Sequence, residues 1–293
     1  MNKELIIRSS SEAVDFALLK DGKLIELHKE QETSNFQVGD IFIAKIRKPV
    51  AGLNAAFVNV GYEKDAFLHY HDLGPNLASQ LKFIKLVSAG KIKDFSLKNF
   101  QFEKEIDKDG SIIDIINSNQ SILVQVVKEP ISTKGPRISA ELSLAGRFIV
   151  LVPFSDRVSI SQKIENKKEK ERLKKLVQSV KPKGFGVIVR TVAEGKNTAE
   201  LEKDLQNLIE RWTAMCKKLP TAHHPSKVLG ELNRASSILR DVFNDTFSGI
   251  QIDDEELYNQ TKDYLQEIAP SKTLIVKFYQ SKDTPIFEKY NIE

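Results

Sequence analysis

Residues 39–69 read GDIFIAKIRKPVAGLNAAFVNVGYEKDAFLH, and their alternation decides the fold of this part of the chain. Side chains on a strand alternate with period two. In AAFVNV, Ala56, Val58 and Val60 therefore share one face, and Phe57 and Asn59 share the other. In DAFLH, Ala66 and Leu68 point one way and Phe67 the other. The small and aliphatic set suits the interior of a small barrel, which leaves both phenyl rings facing out. Lys45, Arg47 and Lys48 lie just upstream, against the single acid Asp40 in the window 39–60. Projecting rings beside fixed positive charge form a platform on which single-stranded bases stack while phosphates are neutralised. The same pattern has a second reading, in which a neighbouring domain covers both rings.

On the N-terminal side, 4–8 and 14–19 read as strands, and Asp21-Gly22 turns the chain into a third at 23–28. On the C-terminal side, the Lys-rich stretch 76–118 has weak periodicity and reads as a partly helical insertion hung on the barrel. Strand character returns at 121–127 (SILVQVV), 147–152 (RFIVLV) and 185–190 (FGVIVR), with a charged amphipathic helix at 162–180 between the last two. In 198–219, Leu201, Leu205, Leu208, Ile209, Trp212, Met215, Cys216 and Leu219 recur at the spacing of a buried helical stripe. Asn197 and Glu200 frame its start as a capping box. A second helix is expected over 226–243, then a strand at 249–252, a helix at 254–267 capped by Asp253 with Glu256 in the box position, and a strand at 272–279.

Composition narrows the functional class. A chain of 293 residues, 41% hydrophobic and 29% charged, is long enough for two domains with their own cores. Its single cysteine, Cys216, lies in an apolar stripe, which excludes an internal disulfide and fits a buried thiol. No stretch has the length and apolarity of a signal peptide or a membrane span, so the expectation is a cytoplasmic protein with no membrane partner. The net charge of +4 allows a nucleic-acid partner, and local placement of charge then carries the argument.

Three constellations stand out. KEPISTKGPR at 128–137 sets Lys128, Lys134 and Arg137 around Pro130, Gly135 and Pro136. It lacks the glycine and GK[ST] ending of a nucleotide-binding loop, and reads as a basic loop for backbone phosphate or as a solvated turn. VIVRT at 187–191 ends an aliphatic strand with Arg190 and Thr191, a guanidinium fork and a hydroxyl suited to a phosphate, or to a rim salt bridge. Asp253, Asp254, Glu255 and Glu256 sit where a helix begins and read as capping and first-turn acids rather than a magnesium site. His69 and His71 lack partners at zinc-finger spacing.

Taken together, several motifs in order carry a family resemblance: VDFALLKDGKLIEL, GDIFIAKI, LNAAFVNVG, DAFLH, KEPISTKGPR, LSLAGRFIVLVP, GVIVRT, the region from Arg234 into IQIDD, and PIFEKYNIE. On these the chain resembles the N-terminal part of the bacterial ribonuclease E/G family, single-strand endoribonucleases of RNA processing and decay. The insertion 76–118 is outside the resemblance. The family implies an α+β multidomain chain, with an S1-type OB-fold barrel at 39–128 and a mixed α/β region sensing the RNA 5′-monophosphate at 129–215. Residues 1–38 and 216–293 would together form a discontinuous RNase H-like subdomain. It implies RNA contacts at Phe57, Phe67 and Lys134, to which the basic run adds Lys45 and Arg47. It also implies a 5′-phosphate pocket in which Arg190 and Thr191 touch the phosphate and Gly146 and Val150 shape the wall.

The family cleaves RNA with Mg2+ held by two aspartates in a DNase I-like region that follows PIFEKYNIE, and a cysteine pair beyond it links subunits through Zn2+. Glu293 ends this sequence before both. The resemblance thus implies an RNA-handling portion of an Mg2+-dependent hydrolase, with catalytic and metal-binding residues none in this chain, a pocket short of one downstream arginine, and room for a homo-oligomer in the full-length protein. The other class of reading is a non-catalytic S1-domain RNA-binding or ribosome-associated protein.

Overall fold

The computed structural model describes residues 2–10, 13–31, 36–131, 134–232, 234–244, 246–281 and 283–293. They divide into two compact units, one formed by residues 36–231 and one by 1–35 with 232–293. The second division falls at Leu232, beyond the expected 216, because residues 226–229 are a strand of the first unit.

The strands Ile41–Val50, Ala55–Asn59, Ala66–His69, Arg137–Ser139 and Ser121–Lys128 pair in that order, and the last returns to Ile41–Val50 to close a five-stranded barrel. Ala44, Ile46, Ala56, Val58, Ala66, Leu68, Ile122, Val124 and Ile138 fill it. Closure removes the exposed strand edges that an open sheet of this size would leave. Ile41 and Ile43 face the other way, into a second core, so IFIAKI is apolar on both sides.

That second core lies under a four-stranded sheet ordered Val158–Ile160, Phe185–Val189, Ile149–Pro153 and Leu144–Ala145. The helices Lys167–Val180 and Thr198–Lys218 supply Leu173, Val177, Leu201, Leu205, Leu208 and the fully enclosed Trp212. The capping box between Asn197 and Glu200 is formed as expected. Cys216 is buried, and burial pushes its thiol well above the ordinary value.

Residues 76–118 are built into these cores rather than hung on the barrel. Leu77, on the helix Leu77–Ser88, and Ile112 enter the barrel core, while Phe83, Ile84, Val87 and Leu97 enter the second. The indole Nε1–H of Trp212 donates to the Phe95 carbonyl at 2.9 Å. The weak periodicity has a cause. Ser79 and Gln80 are buried on the helix, and each is used: Gln80 donates to the Ala140 carbonyl at 2.7 Å and Ser79 Oγ accepts from the Glu103 amide at 2.9 Å.

In the other unit a mixed sheet runs Val276–Phe278, Phe247–Ile252, Lys3–Ser9, Ala13–Lys20, Lys23–Gln31. The first three strands are mutually parallel and the last three form an antiparallel meander turned by Asp21-Gly22, both in the left-handed region. Leu5, Ile7 and Phe16 pack with Leu239, Phe243 and Leu265, and Ile6, Ala17 and Leu19 pack with Ile286 and Phe287 on the opposite face.

Three expectations are corrected. Residues 226–229 are a strand, Ser226–Leu229, paired antiparallel with Ile41–Ile43, and the helix is only Arg234–Val242. Val228, Leu229 and Leu232 fit a helical spacing by coincidence, and the start of the long barrel strand, which Ala55–Asn59 does not reach, decides otherwise. The cap of the helix Glu255–Ile268 is Asp254, accepting from the Leu257 amide at 2.8 Å, whereas Asp253 accepts from the Ser9 amide at 2.7 Å. Residues 270–275 form a 3-10 turn, leaving only Val276–Phe278 extended.

Candidate nucleic-acid interface

Parity along Ala55–Asn59 and Ala66–His69 sends Phe57 and Phe67 outward, since Ala56, Val58, Ala66 and Leu68 are wholly buried in the barrel. The two rings are cross-strand partners, half-buried, 6.1 Å apart at 67°, and belong to neither core of their unit. Residues opposed across a ladder share a face. Lys48 stands opposite Phe57 and Arg137 opposite Phe67, so the ring pair is bracketed by cations.

A bulge lies between Ile46 and Lys48, so Arg47 is the extra residue and both Arg47 and Lys48 reach solvent. Arg47 is held by Asp65 at 3.1 Å. Lys45 is exposed opposite Asn59 and lies near His224, whose imidazole is held below its usual value by burial, then by Lys45 and His223.

Lys134 is exposed in a loop closed by reciprocal backbone bonds with Ile131, and Ser132 and Thr133 lie outside the described residues. The loop is pinned beside the rings. The Phe67 amide donates to the Pro136 carbonyl at 3.0 Å, and a Cβ on Gly135 would sit 2.4 Å from the Asp65 carbonyl oxygen. Only glycine permits that approach.

The second constellation assembles at one end of the four-stranded sheet. Arg190 and Thr191 follow the strand Phe185–Val189, and the turn carrying Gly146 joins Leu144–Ala145 to Ile149–Pro153. The Arg190 amide donates to the Phe148 carbonyl at 2.8 Å and its Nη1 donates to the Gly146 carbonyl at 2.8 Å. Thr191 Oγ1 is 2.8 Å from Ser161 Oγ. Val150 is half-buried opposite Ile188, two residues before Arg190. Of the four residues that the resemblance groups, Arg190 bonds Gly146 directly, Thr191 follows it in the chain with Ser161 as its partner, and Val150 stands opposite Ile188.

Sequence reasoning missed the residue that holds the turn after Gly146. Asp204, on the helix Thr198–Lys218, accepts from the amides of Arg147 at 3.1 Å, Phe148 at 2.8 Å and Ile149 at 3.0 Å. A Cβ at Gly146 would fall 2.7 Å from its carboxylate, so a larger residue there would have to push that carboxylate away from the turn. Burial raises the Asp204 carboxyl above the usual range, opposed by the three amides and the nearby Arg190 charge. The signal was present: Asp204 interrupts the apolar stripe of Leu201, Leu205 and Leu208. An acid on a buried face needs partners.

The family model for the ribonuclease E/G family matches residues 143–293, a span that includes this whole constellation. The chain belongs to the ribonuclease E/G family. It is 30% identical to ribonuclease G of Escherichia coli K12 over all of its length and 56% of that protein. It is 31% identical to ribonuclease G of Haemophilus influenzae over 99% of this chain and 55% of the relative. With ribonuclease E of Nostoc it shares 29% over all of this chain and 38% of the relative. The chain thus spans about half the length of the ribonuclease G relatives it matches. The alignments to ribonuclease G cover the barrel as well as the family-model region.

Among the described residues, no group of three or more His, Cys, Asp or Glu is placed to hold a metal ion. Asp253 and Asp254 are engaged by backbone amides as above. No described helix is long and apolar enough to cross a membrane.

Proposed function

We propose that this chain is the RNA-binding and 5′-monophosphate-sensing portion of a ribonuclease E/G-type endoribonuclease that acts on single-stranded RNA in RNA processing and decay. The observation that carries this reading is the outward Phe57–Phe67 pair bracketed by Lys48 and Arg137, with exposed Lys45 and Lys134 nearby on the same barrel. Bases stack on the rings, and the lysines neutralise phosphates without reading sequence.

The Arg190–Thr191–Gly146–Val150 cluster is the 5′-end pocket in this reading. A terminal monophosphate offers several oxygens to a guanidinium fork and a hydroxyl, and a 5′-hydroxyl offers none of that charge. The discontinuous unit, in which residues 1–35 and 232–293 complete one mixed sheet, is the RNase H-like subdomain on this proposal.

Hydrolysis belongs to the whole protein, with Mg2+ as its metal, Zn2+ at the subunit junction and a homo-oligomeric state. Among the described residues, no three acids or other ligand side chains are grouped to hold a metal. The cytoplasm is the proposed compartment.

The test is binding of one single-stranded RNA with either a 5′-monophosphate or a 5′-hydroxyl. Phe67→Ala should weaken both by roughly 1–3 kcal/mol, the usual worth of a stacked base. Arg190→Ala should reduce only the difference between them. Unchanged affinity in Phe67→Ala would remove the platform reading, and equal losses for both ends in Arg190→Ala would make Arg190 a general backbone contact.

A further inference from the structure

The outward ring row does not stop at Phe67. His69, next but one on the same strand, lies 6.4 Å from Phe67 at 35°, and His71 lies 5.0 Å from His69 at 42°. Phe57, Phe67, His69 and His71 therefore form one continuous series of rings along the barrel, half-buried at first and exposed at His71.

The two imidazoles are held in place. His69 caps the 3-10 turn Tyr70–Asp72, its Nδ1 accepting from the His71 amide at 3.2 Å. An accepting Nδ1 puts the proton on Nε2, which becomes a donor. His71 sits edge-on to Tyr70, a buried residue of the barrel core, with ring centroids 6.1 Å apart. Beside them Asp72 is gripped by the Arg137 fork at 2.8 and 3.0 Å, so its charge is compensated. Among the described residues, neither imidazole belongs to a metal-ligand cluster.

We propose that His69 and His71 extend the RNA platform, each carrying a further base of single-stranded RNA beyond the two that stack on Phe57 and Phe67. This rests on the reading of the phenylalanine pair given above. Every base has a π-face, so a ring ladder accepts any sequence, and four rings suit the short end of the roughly 4–16 nucleotides that one OB fold binds. Bases lie over these rings, not between them. Insertion between parallel rings needs about twice the ~3.5 Å contact distance between carbon atoms, more than any spacing in the series.

The occupant is fixed by continuity with the phenylalanine pair and by charge, since Lys48 and Arg137 stand opposite the first two rings. Arg137 is the cation closest in register to the histidines, and a phosphate passing there would compete with Asp72 for its fork.

The experiment compares 3′-labelled oligouridylates of three and eight nucleotides on the 293-residue chain. His71→Ala and His69→Ala should each weaken the eight-mer by about fivefold, the low end for a stacked base, and leave the three-mer within about twofold. His71→Phe and His69→Phe should restore the eight-mer, because the ring and not the proton is required. His69→Asn keeps an acceptor for the turn but not the ring, and should behave as the alanine variant does. Eight-mer affinity unchanged in both alanine variants overturns the extension, as does a loss that phenylalanine fails to restore. If Phe57→Ala also leaves both lengths unchanged, the platform itself fails and the extension with it. Loss at Phe57 without loss at the histidines confines the failure to the extension. Should His69→Ala lower the thermal midpoint, the exposed His71 variants decide.

Discussion

A single carboxylate holds the turn of the proposed 5′-end pocket. Asp204 satisfies three successive amides of the turn whose Gly146 carbonyl receives Arg190, so the guanidinium and the turn are positioned together. Each part-buried donor left without an acceptor costs about 1–3 kcal/mol. Asp204→Ala should therefore lower stability by about 3 kcal/mol, read from denaturant midpoints. Asp204→Asn retains one oxygen where two now accept and turns an amide group toward a backbone donor. It should lose at least ~1 kcal/mol and, in RNA binding, narrow the gap between 5′-monophosphate and 5′-hydroxyl ends. A destabilised variant that kept the full gap would reduce Asp204 to a purely structural role. Gly146→Ala approaches the same contact from the other side, and its Cβ would force turn and carboxylate apart.

Among the elements, the helix Lys167–Val180 is tied to the segment just past Thr191 by one acid. Glu169 accepts from Nε and Nη2 of Arg172 at 2.6 Å and from the Gly195 amide at 2.9 Å, and Arg172 Nη2 also donates to the Lys196 carbonyl at 2.9 Å. The Arg172 fork, with the amide, holds the Glu169 carboxyl down at about 2, from an ordinary 4.5. Its folded value is depressed, so its stabilising contribution is fully present above 4.5 and is lost as the pH falls toward 2. Arg172 is partly exposed, and solvent screening limits the effect to about 1 kcal/mol. Thermal midpoints from pH 6 to 2 should fall less steeply in Glu169→Gln than in the parent; parallel curves would show the tie contributes nothing. How legible such elements were in the sequence depended on whether one periodicity acted alone. The strands around Phe57 and Phe67 were legible because one face is wholly apolar and the other is not, and the helix 198–218 because its stripe and cap agree. The strand Ser226–Leu229 was illegible, since only a barrel edge far away in sequence decides its state. The helix Leu77–Ser88 was blurred by serving two cores at once. The cluster around Arg190 could be named by resemblance, but its dependence on Asp204 needed the fold, because an acid in an apolar stripe signals a need for partners without saying which amides supply them.

On the scale of the whole molecule, the chain order and the spatial order differ. Residues 36–231 contain two cores whose members all come from within that span, including the barrel, the ring series and the Arg190 cluster. The remaining unit is made from both ends of the chain. Its sheet sets Lys3–Ser9 between Phe247–Ile252 and Ala13–Lys20, and Leu5, Ile7 and Phe16 supply part of the core under the C-terminal helices. A unit with a complete core can fold alone, whereas a sheet stripped of a central strand exposes both its apolar face and its unpaired edge. Residues 36–231 expressed alone should therefore unfold cooperatively and bind an oligouridylate within about twofold of the full chain's affinity, because every proposed RNA contact is inside it. Residues 232–293 alone should show no cooperative transition, and adding 1–35 as a separate peptide should restore one. Circular dichroism during a thermal ramp, with fluorescence anisotropy for the RNA, reads both outcomes. A 36–231 fragment that folds but binds RNA tenfold more weakly would move part of the interface onto the discontinuous unit. A fragment with no transition would show that its two cores depend on the rest of the chain.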